Sequence, residues 1–408
     1  MKLYYQLAYR NLMRHRRRSL LSMLALGAGL ALLLLMSAVV EGEMQGSLEA
    51  SIRLQSGHVQ VYAPSYHPDR PSLAWEDLIA DPMALAQQIA ALPGVQSATP
   101  RLFASGILAR GDESIGVSIL GIDPPAPVND PFRKGMLSGA FLQPDDRDGV
   151  LVGKPLAEKL NLAENSRIYL LINTSSGEIA EGEFTVRGIY STGIPGYDKS
   201  VILMPLDKAQ AIAQANNHAT AIFVLLKSNR HTSSVAAALR QMPYQVKTYE
   251  ELNALTMQME QFSNAYMYVL YLIILAITAS VIVNTLVMAV FERTREIGIL
   301  AALGMRARSI MALFLAESSL LAAGGILMGL VLGAVLVAYA ALVGFHIGDI
   351  GASGGSGLLL GERIYAAFDP LDSLRLIVLS FIITLLAGIY PAALAARMQP
   401  VDALRRGQ

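Results

Sequence analysis

The sequence contains no cysteine, and only 16% of its 408 residues are charged. The absence of cysteine excludes disulfide bonds and any metal site built on thiolates, so a domain outside the cytosol would depend on its hydrophobic core alone. The scarcity of charge, together with a hydrophobic content of 53%, is atypical of a soluble enzyme of this size. These features indicate a membrane protein.

Charges of opposite sign are segregated along the chain, although the net charge is zero. Thirteen Lys or Arg but only three Asp or Glu fall in residues 1–18, 292–308 and 397–408 together. Residues 41–265, by contrast, carry 17 Lys or Arg and 24 Asp or Glu. Because basic segments beside membrane spans stay in the cytosol, we expect both termini and residues 292–308 to be cytosolic. The basic cluster at 14–18 is typical of a span flank, so no nucleic-acid partner is expected.

Four apolar stretches are long enough to cross a bilayer, at residues 19–40, 266–291, 309–343 and 373–396. The first would span about 33 Å as a helix, which exceeds a cleavable signal sequence and indicates a retained span. Outside these stretches we expect a cytosolic amphipathic segment at 1–18, an extracytoplasmic domain with stalk helices at 41–265, a cytosolic bridge at 292–308, an extracytoplasmic loop at 344–372 and a cytosolic tail at 397–408.

The outer domain between the first two spans mixes strand and helix periods. Strands and helices are expected at residues 57–62, 81–92, 95–101, 220–227, 232–242 and 244–249, with an insertion at about 123–205 that holds four strands and one helix. The helix at 81–92 has Asp81 as its predicted N-cap. Two β-α-β units separated by an insertion predict a large α+β domain of split βαβ type with an inserted β-rich subdomain.

The bridge between the second and third spans, ERTREIGILAALGMRAR at residues 292–308, has one charged and one apolar side when drawn as a helix. The apolar residues Ile297, Leu300, Ala301 and Gly304 recur at helical spacing. A simple connecting turn needs no such pattern. The bridge is therefore predicted to be a lever whose apolar face docks into a groove on a partner protein.

Two segments resemble the FtsX-like/MacB-like permease family of ABC transporters, with its Lol-type lipoprotein-release branch favoured. Residues 292–304 resemble the family's coupling helix, and PAALAARMQPVDALR at residues 391–405 resembles its C-terminal signature. The resemblance assigns ATPase coupling to Glu292, Arg293, Arg295, Glu296, Ile297, Gly298, Leu300, Leu303 and Gly304, and the C-terminal motif to Pro391, Ala395, Arg397, Pro400, Leu404 and Arg405.

The resemblance implies an α-helical membrane protein of a bacterial inner membrane, with four spans and a porter-like outer domain. A cytosolic ABC ATPase dimer would bind ATP and magnesium, so this chain would be neither an enzyme nor a cofactor carrier. Further expected partners are a second permease copy or paralogue, the lipid bilayer, and a periplasmic carrier or adaptor, for which the hairpin expected at Tyr169–Val186 is a candidate hook.

The implied activity is release or export of lipoproteins or other lipid-like cargo by mechanotransmission. A MacB-type drug or peptide efflux permease is one alternative. An FtsX-type signalling permease that activates cell-wall hydrolases is another, although that type usually has a smaller outer domain. A membrane-anchored enzyme is disfavoured, because no acid, base and nucleophile converge in the sequence.

Small residues in the spans predict helix contacts. Gly325, Gly329 and Gly333 repeat every four residues in the third span, which lets another helix approach closely. Gly388 begins a similar repeat in the fourth span. Both repeats are predicted to be packing seams.

Other residues of the spans and stalk are candidates for polar or cargo contacts. Glu317 lies about two turns into the third span, where a carboxylate needs a partner. We expect an interhelical hydrogen bond or an ion pair with Arg308. Met257, Met259 and Phe262 on the lower stalk are candidates for contact with an acyl chain, with ordinary stalk packing as the alternative.

Apparent catalytic and metal motifs fail on their context. Residues 149–155, GVLVGKP, have three residues between the glycines where a phosphate-binding loop has four. Residues 351–355 match a nucleophile elbow without its preceding strand and following helix. The acidic residues at 145–148 lack the register of a calcium loop, and the six histidines show no paired spacing. No metal site and no catalytic residue is predicted.

Overall fold

The structure is a computed structural model and describes residues 2–111, 113–146, 148–346, 359 and 361–398. The described residues form two units. The membrane unit lies within Met1–Met44, Glu260–Phe345 and Tyr365–Gln408, and the head unit lies within Gln45–Met259 and His346–Ile364.

Helices and strands follow the chain in this order. The helices are α1 (Lys2–Arg14), α2 (Arg16–Ser51), α3 (Pro82–Ala90), α4 (Asp130–Lys134), α5 (Lys154–Lys159), α6 (Pro195–Asp198), α7 (Leu206–Ile212), α8 (Thr232–Leu239), α9 (Tyr249–Leu252), α10 (Ala254–Glu292), α11 (Thr294–Ala302), α12 (Ala307–Val343) and α13 (Pro370–Ala396). The strands are β1 (Val59–Tyr62), β2 (Ile79–Ala80), β3 (Val95–Arg110), β4 (Glu113–Ile122), β5 (Met136–Gly139), β6 (Gly149–Gly153), β7 (Arg167–Asn173), β8 (Ile179–Tyr190), β9 (Val201–Pro205), β10 (His218–Ala219), β11 (Ala221–Leu226), β12 (Gln245–Thr248), β13 (Phe345–His346) and β14 (Arg363–Ile364).

In the described part of the chain, four helices are long and apolar enough to cross a membrane. They occupy Arg16–Ser56, Ala265–Glu292, Ala307–Val343 and Pro370–Ala396, so each contains one of the predicted apolar stretches. The first helix continues beyond its apolar run to Ser51, into the segment expected to form the first stalk, because residues 41–51 contain no proline to interrupt it.

The glycines of α12 lie where the first span crosses it. A Cβ added to Gly329 would stand 2.9 Å from the carbonyl oxygen of Gly27, and one added to Gly325 or Gly333 would meet Leu26 or Leu34. Gly388 of α13 makes the corresponding close approach to Ser318 of α12. At Gly329 and Gly333 the contacting atoms include backbone, so a side chain at either position would push the helices apart.

The seam at Gly329 predicts a position-specific loss of stability. Replacing Gly329 with Leu overpacks the contact between α2 and α12 and should lower the free energy of unfolding by about 1–3 kcal/mol. Thermal unfolding in detergent micelles measures the effect. The control is Ala334→Leu, an addition on the exposed side of the same helix, which should leave the melting temperature nearly unchanged. Equal losses at the two positions would contradict the seam.

Strands of the head close into a ring. β3 pairs with both β4 and β7, β7 pairs with β8, β8 with β6, β6 with β9, and β9 with β4. Alternate residues point inward, as Ile168, Leu170 and Ile172 do in β7. The predicted insertion at 123–205 is therefore not self-contained, because β3 and β4 precede it and complete the ring.

A helical layer covers three further strands of the same sheet, β1, β11 and β12. In the order β12-β1-β11-β3, β11 lies between β1 and β3, and all neighbours are antiparallel. Helices α3 and α8 pack on these strands through a second core that includes Ile89, Val224 and Leu239. Asp81 precedes α3 as predicted, but it adopts a left-handed conformation without capping the helix through its side chain. Its carboxylate accepts a hydrogen bond from Asn217 instead.

A buried arginine holds the end of the first stalk within the head. Nη1 of Arg101, on β3, donates to the carbonyl oxygen of Leu54 at 2.7 Å, and Leu54 belongs to a π-helical turn at Ile52–Ser56. The guanidinium lies 3.5 Å from the ring centroid of Phe223. Burial lowers the pKa of Arg101 to about 10, so the group stays charged at neutral pH. The sequence carried no signal for this contact.

A buried aspartate organises the loop after β8. The carboxylate of Asp198 accepts hydrogen bonds from the backbone N–H of Thr192 at 2.9 Å and from the hydroxyls of Thr192 and Ser191. Burial raises the pKa of Asp198 to about 6, against the opposing effect of these hydrogen bonds, and nearby Glu362 adds to the rise.

The raised pKa makes the stability of the head depend on pH. An unfolded aspartate titrates near about 3.9, so the contribution of Asp198 to stability is fully present below about pH 4 and is lost as pH rises through about 6. The loss is at most about 3 kcal/mol. We therefore expect the melting temperature of the wild type, relative to Asp198→Asn, to fall between pH 4 and pH 7. Fluorescence of Trp75, the single tryptophan, follows the head in the full-length protein, and a pH-independent difference would contradict this role.

Candidate functional site

The bridge between the second and third spans is a short helix set off by two backbone breaks. Arg293 separates α10 from α11 with φ −110° and ψ 16°. After α11, Gly304 adopts φ +90°, a left-handed conformation that favours glycine at the end of a helix. The chain then enters α12 at Ala307. The residues predicted to form a lever therefore make a separate short helix, bounded by a turn at each end.

One side of α11 packs against the chain's own helices. Ile297 is buried in a cluster with Val290, Phe314, Ala392 and Ala395, and Ala301 packs against it. Gly298 is also buried. The face predicted from Ile297 and Ala301 to enter a partner's groove is thus already covered, because α13 lies against it.

A different side of α11 is open. Ile299 is 44% exposed and Leu303 is 81% exposed, and Arg295, Ala302 and Gly304 are also exposed. Leu300 is half-buried. We call Arg295, Ile299, Ala302 and Leu303 the outer face of the bridge. The prediction from the sequence missed Ile299, although its spacing of four from both Arg295 and Leu303 is the signal that identifies it.

Ion pairs fix the charged residues at the start of the bridge. Glu292 pairs with Arg18, and Glu296 pairs with Arg14 at 2.8 Å. Arg293 pairs with Glu317 at 3.2 Å and approaches Glu296 at 3.6 Å. These pairs join α1 to α11, α2 to α10, and the start of α11 to α12, so five helices are connected around Arg293. Arg14 and Arg18 had been predicted only as a basic flank.

Glu317 has a different partner from the expected Arg308. The side chains of Arg293 and Glu317 are only 7% and 3% exposed. Arg308 and Glu317 are nine residues apart on α12, a spacing of about 13.5 Å and about half a turn out of phase. The two residues therefore lie on opposite sides of the helix, and Arg308 is exposed.

The C-terminal motif lies partly within the described residues. Pro391 is inside α13, Ala395 is buried in the cluster that contains Ile297, and Arg397 follows the last turn. Pro400, Leu404 and Arg405 lie outside the described residues. The two segments that carry the family resemblance thus pack against each other, although a hundred residues separate them in the sequence.

The cargo and carrier candidates occupy exposed helix and strand. Met257 and Phe262 both belong to α10, where Met257 is half-buried and Phe262 is exposed. The side chain of Met259 lies outside the described residues. The candidate hook is the hairpin of β7 and β8, on which Tyr169 and Ile179 are exposed.

A cleft of about 790 Å³ opens in the head. Its described lining includes Gln55, Tyr62, Ser105, Ser118 and Asn173 but no Asp, Glu, Lys, Arg or His. Several other lining hydroxyls already bond within the head, as Ser51 does to Asn253 and Ser175 to the Gln214 carbonyl. The described lining of the cleft is therefore uncharged.

The apparent catalytic and metal motifs of the sequence lie partly within the described residues. Residues 149–155 form β6 and the start of α5. Asp146 pairs with Arg187, and Asp148 pairs with Lys208. Residues 351–355 lie outside the described residues. In the part of the chain that the structure describes, no three His, Cys, Asp or Glu residues are grouped so as to hold a metal.

Known proteins similar to this chain include permeases. Residues 19–242 match the family described as MacB-like periplasmic core domain, and residues 268–400 match the FtsX-like permease C-terminal family. The lipoprotein-releasing system transmembrane protein LolC of Neisseria meningitidis is 24% identical over 93% of this chain and 92% of its own length. The macrolide export ATP-binding/permease protein MacB of a Shewanella species is 27% identical over 96% of this chain, which spans 58% of that protein's length.

A solved structure also resembles part of the chain. The periplasmic region of MacB from Actinobacillus actinomycetemcomitans matches 51% of this chain and 96% of its own, with 16% identity and a TM-score of 0.35. The topology of the head therefore rests on its own strand pairs.

Proposed function

The chain belongs to the family of FtsX-like permeases with a MacB-like periplasmic core domain, and we propose that it couples ATP hydrolysis by a separate ATPase subunit to motion of its head. It is an ABC-transporter permease and a multi-pass inner-membrane protein. Both termini and the bridge lie in the cytoplasm in this proposal, which the basic residues of the first 18 positions and of 292–308 support. The head then lies on the other side.

The single observation that supports coupling best is the outer face of the bridge. Ile299 and Leu303 are apolar, exposed and close to Arg295 on a short helix whose other side is packed. An apolar stripe beside a positive charge suits a groove on a folded protein. We assign that groove to a cytosolic ABC ATPase dimer, which would bind ATP and magnesium, so that this chain holds no cofactor and catalyses no hydrolysis.

The proposed mechanism is a population shift biased by nucleotide. Closure of the ATPase dimer displaces α11, and the displacement shifts the membrane helices between two arrangements. Because α2 and α10 each run from the membrane unit into the stalk residues of the head as single helices, they give the displacement a path to the head. Hydrolysis restores the starting arrangement. A second copy or paralogue of this chain would engage the other half of the ATPase dimer.

Lipoproteins or other lipid-like molecules are the proposed cargo. The similarity to LolC, a protein of a lipoprotein-releasing system, extends over nearly the full length of both chains, which favours this class. The hairpin of β7 and β8 is the proposed hook for a periplasmic carrier. The second candidate is efflux of drugs or peptides through an adaptor, since the similarity to the macrolide exporter covers 96% of this chain.

We expect a substitution in the outer face to abolish binding of the ATPase without unfolding the chain. In Leu303→Asp, docking would bury an unpaired carboxylate, so an ATPase that co-purifies with the tagged wild-type chain should be reduced at least tenfold. The amount of ATPase is measured by quantitative mass spectrometry after detergent extraction.

Two further variants control for surface charge and for folding. Leu137→Asp makes the same change at an exposed leucine of the head and should retain the ATPase. Ile297→Ala removes a buried side chain and should lower the melting temperature by the equivalent of about 2–5 kcal/mol, whereas Leu303→Asp should not. Normal ATPase recovery with Leu303→Asp would refute the docking assignment.

A further inference from the structure

The helical backbone is interrupted at Arg293, at the start of the bridge. α10 ends at Glu292 and α11 begins at Thr294, and Arg293 between them is outside the helical region. A displacement of α11 can therefore bend the chain at Arg293 instead of passing straight along α10. The side-chain contacts of Arg293 decide where the displacement goes.

The Arg293 side chain reaches into the third span. Its Nη1 lies 3.2 Å and 3.5 Å from the two carboxylate oxygens of Glu317, and both side chains are almost completely buried. Separating them would leave two charges without partners in an apolar environment, which is unfavourable. Of the ion pairs described at the start of the bridge, this one is the most deeply buried.

The other ion pairs of the bridge are weaker connections. Arg14 and Glu296 are 69% and 49% exposed, and water competes for exposed pairs of this kind. Arg18 and Glu292 are also partly exposed. These pairs can open and re-form as α11 moves, whereas the buried pair must move as one body.

We propose that Arg293 and Glu317 are positioning residues that transfer the displacement of the bridge to the third span, α12. The proposal rests on the proposed function, because it needs an ATPase that moves α11. It assigns the first response to α12, with the chain bending at Arg293, after the end of α10. The glycine seam would then pass the shift of α12 to α2, since Gly329 contacts Gly27 directly.

The absence of native cysteine allows a direct measurement of this transfer. Spin labels are attached through Leu342→Cys and Leu371→Cys, two exposed positions of the membrane unit near adjacent ends of α12 and α13. Distances are measured by double electron–electron resonance in the complex with the co-purified ATPase, without nucleotide and after trapping with ATP and vanadate. The wild-type complex should show a nucleotide-dependent change in distance.

Glu317→Gln is the decisive variant. It keeps a hydrogen-bond acceptor for Arg293 but removes the charge, so the ATPase should still co-purify while the distance change falls to less than half. Exchange of the charges, Arg293→Glu with Glu317→Arg, should restore the change. Arg293→Lys, which retains the charge, should preserve more of it than Arg293→Gln. A purely structural role would not produce this rescue pattern.

The outcomes separate the two proposals. A wild-type chain that recovers no ATPase, or shows no distance change on trapping, overturns the proposed function and this inference with it. A wild-type change that persists in full in Glu317→Gln, with the ATPase bound, overturns the transfer through Glu317 and leaves the proposed function standing. If Glu317→Gln does not accumulate, the charge exchange and Arg293→Lys decide by the same criterion.

Discussion

The buried ion pair between Arg293 and Glu317 constrains the whole bridge. Removing one partner of such a pair typically costs about 3–5 kcal/mol, so the start of α11 is fixed to α12 where the helical backbone is interrupted at Arg293. With this end fixed, Ile297 faces the core that includes α13, and Ile299 and Leu303 face outward. The outer face is therefore a consequence of the pair as well as of the amphipathic sequence.

The head is a packed scaffold in the residues that the structure describes. Its strands close into a ring with a packed interior, and its cleft has no Asp, Glu, Lys, Arg or His in the described lining. Arg101 and Asp198 are buried, but each is used to hold backbone: the end of the first stalk and the loop after β8. A head of this kind suits a part that is moved by its stalks and presents surfaces to other proteins.

Local sequence patterns predicted individual helices and strands, but they did not predict the contacts between residues that are distant in the sequence. The apolar runs gave the positions of the four long apolar helices, and the strand expected at 220–227 corresponds to β11. Closure of the ring depends on β3 pairing with β7, about sixty residues away, which no local pattern encodes. The sequence alone could have excluded Arg308 as the partner of Glu317, because helix geometry puts the two residues on opposite sides of α12. The choice between the two sides of α11 required the packing of α13, which the helical period alone does not supply.

In the proposed function, the bridge faces the compartment that holds ATP and the head faces the other. Single cysteines at Leu303→Cys and Leu137→Cys can be placed in this cysteine-free chain and treated with a membrane-impermeant maleimide in spheroplasts of the native host. Labelling is expected at position 137 in intact spheroplasts and at position 303 only after permeabilisation. Labelling of position 303 in intact spheroplasts, with position 137 protected, would contradict this orientation.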